Sequence, residues 1–186
     1  LDDNGLKTPS THTDLDTLEN KMDKLGEAAH ILGHNYVTLP AIPDDRRKTL
    51  DDYKRMADTF NKIGADAKKN GIKFGYHNHG YGIKPTDGQI PLQIILNNTD
   101  PNLVFFEMDI FWTASGGADP VEYLSKFPNR YKMLHLKDMK EKKQFSGDGG
   151  NGYSSVFYNT IHPNGIYKLP GDNNSIVMFD ELNKFS

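Results

Sequence analysis

Across residues 1–140 the hydrophobic period of this chain changes again and again, and few folds satisfy such a pattern. Leu18, Met22, Leu25, Ala29 and Leu32 recur at helical spacing, and Gly33 follows as a stop signal. A short apolar run, Tyr36-Val37-Thr38-Leu39, comes next and ends at Pro40. Leu50, Tyr53, Ala57, Phe60, Ile63 and Ala67 return to the helical period, opened by Thr49 with Asp52 three residues on, a capping-box start. Residues 72–79 (IKFGYHNH) read as a strand, 91–97 (PLQIILN) as a helix with Pro in its first turn, and 103–112 (LVFFEMDIFW) as a strand. Residues 120–127 (PVEYLSKF) read as a helix and 131–138 (YKMLHLKD) as a further strand. Strands that alternate with helices need crossover connections, so neighbouring strands are expected to run parallel. The class is α/β.

Residues 141–186 break the pattern. Gly, Asn, Ser, Asp and Pro crowd the stretch from Gln144 to Ser175, and Asn151-Gly152 and Asn164-Gly165 are hairpin-turn signals. The β-like runs YSSVFY, IYKL and SIVMF surround them. The expectation is two regions, 1–140 as an α/β body and 141–186 as a loop-rich tail or small β-meander. Composition narrows the partners. Lys+Arg total 22 against 25 Asp+Glu, a net charge of -3, which argues against a nucleic-acid binder. No stretch approaches the roughly 20 apolar residues of a membrane span. With no Cys among 186 residues, disulfides, iron–sulfur clusters and zinc–thiolate sites are excluded. Location is left open between cytoplasm and bacterial periplasm.

Side chains alternate faces along a strand. In 72–79, Ile72, Phe74 and Tyr76 share one face, while Gly75, His77 and His79 share the other. In 104–111, Val104, Phe106, Met108 and Ile110 oppose Phe105, Glu107, Asp109 and Phe111. In 131–138, Leu134 and Leu136 oppose Met133, His135 and Lys137. Each strand thus has an apolar face for helices and a second face that turns polar towards its C-terminal end. Sites form at those ends in parallel α/β folds. His77, Asp109 and His135 occupy that position on three strands, and imidazole with carboxylate suits Mn²⁺, Co²⁺, Zn²⁺, Fe²⁺ or Ni²⁺. Plainer readings stand beside this one. A strand-end His is commonly a hydrogen-bonded rim residue, and Asp109 could cap a following helix. Glu107 reads as a buried carboxylate needing a partner such as Lys137 or a ring nitrogen. His12 is a further candidate after the strand at 6–11. Trp112 is either a platform for a sugar ring or an apolar plug. His30, His34 and His162 read as surface residues.

The segments FGYHNH and VFFEMDIFWTASGGADPVEYLSKFPNRYKMLHLKDM resemble the sugar phosphate isomerase/epimerase-like proteins of the xylose-isomerase-like barrel superfamily, in particular bacterial members with a YHNH strand. The resemblance covers roughly residues 1–148. It implies a (β/α)₈ TIM barrel with a divalent metal (Mn, Co, Zn, Fe or Mg) at its C-terminal mouth, usually held by Glu, Asp, His and Glu from strands five to eight. His77 stands here in place of the commoner fifth-strand Glu, Asp109 matches the sixth-strand Asp, and His135 the seventh-strand His. Read as a degenerate eighth strand, SIVMFDEL in the tail would make Glu181 or Asp180 the fourth ligand that the resemblance implies. His79 and Lys137 resemble substrate-contacting residues, and His12, Glu107 and Trp112 complete the expected substrate contacts. Strands three to seven are recognisable, at 6–12, 35–40, 72–79, 103–111 and 131–137, whereas a full barrel takes about 250 residues. The expectation is therefore a partial barrel with an atypical tail, and exposed sheet edges should favour self-association.

The resemblance implies a sugar, sugar phosphate or keto-sugar isomerase or epimerase. Such an enzyme abstracts the proton next to a carbonyl while a divalent metal stabilises the enediolate. His77 or His79 would serve as base, since imidazole titrates near neutrality, and Lys137 would stabilise developing negative charge. The same first step can instead lead to elimination, as in a keto-glycoside lyase or hydratase. A non-catalytic carbohydrate-binding remnant of such a barrel is a third expectation. The partner in each case is a small sugar, not nucleic acid.

Overall fold

A computed structural model describes residues 2–141, 143–145 and 157–158 of the chain. The chain packs as two compact units, one of Leu1–His77 with Ile94–Phe105 and the other of Asn78–Gln93 with Phe106 onward.

In the first unit, β1 (Ser10–His12), β2 (Tyr36–Leu39) and β3 (Lys73–His77) pair in parallel, with His12 opposite Thr38 and Thr38 opposite Gly75. The helices are α1 (Leu15–Asn20), α2 (Met22–Leu32) and α3 (Leu50–Lys69). The periodicity at 17–32 predicts one helix. The structure breaks it at Lys21, whose φ of -137° and ψ of 29° are not helical. The apolar stripe continues across the break through Leu18, Met22 and Ala29, which are buried, and ends before Leu32, which is exposed. Asp14 starts α1 by accepting from the Thr17 N–H at 2.9 Å. Gly33 ends α2 with φ 75°, a left-handed turn that a side chain would oppose. The capping box expected at α3 is present in both directions between Thr49 and Asp52.

α3 covers the sheet through Phe60, whose ring lies 5.2 Å from Phe74 and 5.1 Å from Tyr76. All three are buried, and burying a ring of this size contributes roughly 1.5–3 kcal/mol. Phe74 and Tyr76 therefore face the helix, as alternation predicts, and His77 belongs to the opposite face. Gly64 lets α3 approach the chain closely, since a Cβ there would come within 2.5 Å of the Leu103 carbonyl oxygen.

In the second unit, β4 (Val104–Asp109, in this unit from Phe106) pairs in parallel with β5 (Tyr131–His135), placing Asp109 opposite His135 and Glu107 opposite Met133. Between them run α5 (Ile110–Ser115) and α6 (Pro120–Lys126), the latter started by Asp119. The strand expected to reach residue 112 thus ends at Asp109, and Phe111 and Trp112 are helical. α4 (Pro91–Asn98) and β4 both cross the boundary between the units. β5 stops at His135, so Lys137 lies beyond it. The strands β6 (Asp138–Met139) and β7 (Phe157–Tyr158) pair antiparallel, so the tail run YSSVFY does contain a strand. Within both units every pairing expected from the crossover pattern is parallel.

Candidate metal centre

Asp109 is the last residue of β4 and the N-cap of α5, and its two carboxylate oxygens do different work. Oδ1 accepts from the Trp112 backbone N–H at 2.9 Å, so the plainer reading of Asp109 as a cap is correct. Oδ2 faces His135 Nδ1 at 3.2 Å and Lys137 Nζ at 3.6 Å. Asp109 is 0% exposed. A carboxylate so far from water must be compensated, and the helix N-terminus, the imidazole and the ammonium supply that. The parallel register, shifted by an irregularity between Phe106 and Glu107, sets Asp109 beside His135.

Lys137 has a second set of contacts. Its ammonium lies 5.2 Å from the centre of the Trp112 ring and 5.6 Å from that of Phe111, within cation–π range. Its side chain is only 13% exposed. The His79 ring stacks on Trp112 at 5.1 Å and 17°. Trp112 itself is buried in a cluster with Phe111, Ala114 and Met139, against which Phe145 packs. One indole thus carries both His79 and Lys137. Glu107 is buried in β4, at 2% exposure.

In the first unit, His77 ends β3 and is 3% exposed. Its Nδ1 lies 3.0 Å from the Pro40 carbonyl oxygen. A carbonyl only accepts, so Nδ1 carries the hydrogen and the neutral ring has its lone pair on Nε2. A backbone carbonyl that holds one ring nitrogen in this way fixes the tautomer and the orientation of the ring. His12, at the end of β1, is exposed, and its ring centre lies 5.1 Å from that of His77. Glu181, Asp180 and His162 lie outside the described residues. His30 is exposed, with Nε2 2.9 Å from the Asn70 carbonyl, as a surface residue should be.

Three residues escaped the sequence reading. The Pro40 carbonyl is a backbone group with no side-chain signal. Asn78 accepts the Asp109 N–H on its Oδ1 at 3.2 Å and donates to Thr113 Oγ1 at 3.1 Å. The signals available were an amide wedged between two histidines, and a Thr four residues after Asp109.

The sequence profile of the xylose isomerase-like TIM barrel matches residues 4–163. An inosose dehydratase of Clostridium perfringens is 38% identical over 93 residues, which are 50% of this chain and 31% of that protein. A crystal structure of a sugar phosphate isomerase/epimerase from Parabacteroides distasonis superposes with a TM-score of 0.63 at 32% identity, covering 80% of this chain and 59% of that one. The IolI protein, solved with a bound zinc atom, superposes with a TM-score of 0.56 over 77% of this chain and 59% of its own, and its 16% identity speaks for the fold. The chain spans less than two thirds of each of these proteins. With its parallel strands, crossover helices and a profile match over most of its length, the chain belongs to the xylose isomerase-like TIM barrel family.

Proposed function

We propose that this chain carries metal-binding and proton-transfer residues of a divalent-metal-dependent enzyme that acts on polyhydroxylated carbonyl compounds by removing a proton next to the carbonyl. The observation that carries this reading is the divided carboxylate of Asp109, buried and capped through Oδ1, with Oδ2 turned to His135 and Lys137.

The donor set fits a divalent cation. Asp109 and His135 of the second unit and His77 of the first are the ligands in this proposal, two imidazoles and a carboxylate being a suitable set. The 3.2 Å between Asp109 Oδ2 and His135 Nδ1 suits two donors to one ion. Each would stand roughly 2.0–2.2 Å from it. In His77, the Pro40 carbonyl holds Nδ1–H and leaves Nε2 as the ligating nitrogen. Glu181 is the fourth ligand in this proposal. A bound cation would supply Lewis acidity towards the substrate carbonyl and an adjacent hydroxyl.

The chain's own groups handle the proton. His79 takes the hydrogen from the carbon next to the carbonyl, and the electrons of that C–H bond form a carbon–carbon double bond. The carbonyl electrons move to its oxygen, where the Lys137 ammonium donates a hydrogen bond as charge develops. Trp112 sets the positions of both groups. His12, exposed beside His77, and Glu107 are the proposed substrate contacts. When His79 returns the proton to the neighbouring carbon while the hydroxyl proton there passes to the former carbonyl oxygen, the product is an isomer; when solvent delivers a proton to the other face and His79 releases its own, the product is an epimer. When the protonated His79 instead passes its proton to the hydroxyl on the next carbon, the carbonyl re-forms, that hydroxyl leaves as water and the product is an unsaturated ketone. The C. perfringens relative, an inosose dehydratase by name, favours that second outcome as the alternative reading.

The test is incubation of the metal-loaded chain with ketoses and cyclic polyhydroxy ketones in D₂O. Deuterium entering the position next to the carbonyl, and lost in His79→Ala, is the expected result. Release of water with growth of enone absorbance would select dehydration. Absence of both with a metal-loaded chain would contradict the proposal.

A further inference from the structure

We infer that Asn78 and Thr113 form a clamp on the backbone of Asp109 that positions its carboxylate for metal. This rests on the metal reading above and adds to it two residues that touch neither the ion nor the substrate. Asn78 Oδ1 accepts the Asp109 N–H at 3.2 Å, and Thr113 Oγ1 donates to the Asp109 carbonyl at 2.8 Å. Asn78 Nδ2 donates to Thr113 Oγ1 at 3.1 Å and so closes the ring. Both backbone groups of one residue are thus held by side chains that also hold each other.

Every donor and acceptor in this ring has one consistent assignment. The Asp109 N–H can only donate, which fixes the Asn78 oxygen towards it and its amino group towards Thr113. The Thr113 hydroxyl then accepts from Asn78 and donates to the carbonyl. All three residues are buried, so no water can replace a missing partner without rearrangement. The carboxamide of Asn78 offers Asp109 what a neighbouring strand's peptide would offer, at the point where β4 turns into α5.

A Thr bonded to the carbonyl four residues back is common in helices and by itself only supports the turn. Asn78 makes the difference. It follows His77 in the chain, so the residue beside one proposed ligand is tied to the backbone of another. With the backbone fixed, Oδ1 fixed by Trp112 and the helix direction set, the remaining freedom of Oδ2 is small. Partners of this kind typically cost about 10- to 100-fold in metal affinity when removed.

The experiment is titration of the metal-free 186-residue chain with Mn²⁺ and Zn²⁺, comparing wild type with Asn78→Ala, Thr113→Val and Thr113→Ser. Far-UV circular dichroism and denaturant melts run in parallel confine the affinities to folded protein. Asn78→Ala and Thr113→Val should each weaken binding by about 10- to 100-fold, and Thr113→Ser, which keeps the hydroxyl, should restore it to near wild type. Phe60→Leu, a packing change in the other unit, should lower stability with metal affinity unchanged. Folded Asn78→Ala that binds metal like wild type would overturn the clamp while leaving the proposed function intact. Wild type that binds no divalent ion would overturn the metal reading and the clamp with it.

Discussion

The N-termini of α3 and α5 use the same device, an acidic side chain bonded to backbone N–H groups, and differ in what is left over. At α3, Asp52 Oδ2 accepts from the Thr49 N–H at 2.7 Å, the Lys48 N–H at 3.1 Å and the Thr49 hydroxyl at 2.8 Å, while Oδ1 takes Arg55. Both oxygens are engaged by neighbours in sequence, at a partly exposed site. At α5, Asp109 gives one oxygen to the cap and turns the other, in a water-free setting, to groups from β5 and beyond. The first arrangement holds a helix. The second holds a helix and leaves one oxygen for the ligand role proposed above. Burial and the origin of the partners, not the capping motif, are what single out Asp109 for the proposed role.

The largest effects are expected from dividing the two jobs of Asp109. Asp109→Asn keeps the oxygen that accepts from Trp112 but removes the charge. Metal affinity should fall roughly hundredfold or more while the helix remains. Asp109→Ala removes both and leaves His135 and Lys137 without their carboxylate, at a cost of about 3–5 kcal/mol in a denaturant melt. Equal loss of stability in both variants would show that the cap contributes little.

Phe60→Ala should cost about 3–5 kcal/mol, because it empties a site between Phe74 and Tyr76. The folded fraction should bind metal as before. Thr49→Ala should cost about 1 kcal/mol by calorimetry and leave metal binding untouched, which would confirm that the α3 cap is only structural.

The smallest effect is a pH dependence at Asp52. Hydrogen bonds from the Thr49 side chain, then from Arg55 and the Thr49 backbone, lower its pKa from 3.8 to about 2. A depressed carboxylate stabilises the fold above the unfolded value and loses that contribution as pH falls through the folded one. Asp52→Asn should therefore melt earlier than wild type near pH 5, and the gap should close as pH falls from about 4 to about 2. A gap that persists at the acid end would assign the difference to geometry instead of charge.

Much of this was legible in residue order. Periodicity located the strands and helices, and the Thr49–Asp52 spacing announced its capping box. Parity put Asp109 and His135 each on the polar face of its own strand, but the irregularity between Phe106 and Glu107 that sets them opposite each other left no sequence signal. The end of β4 was hidden because Ile110, Phe111 and Trp112 are as apolar as the strand before them, and such a run suits a buried strand and a buried helix alike. The break at Lys21 left no trace, since the stripe continues in phase across it. The Asn78 clamp and the Pro40 carbonyl were illegible for another reason. They depend on hydrogen bonds between groups 31 and 37 residues apart, which no local pattern records.

The proposed site is a divalent ion held by His77, Asp109 and His135. Its most direct test is the metal content of the purified chain after loading and desalting, measured by inductively coupled plasma mass spectrometry for wild type, His77→Ala and Asp109→Asn. Wild type should retain one divalent ion per chain, and each variant should retain almost none, with folding verified by circular dichroism. A folded wild type that retains no ion, or folded variants that retain it as wild type does, would contradict the account.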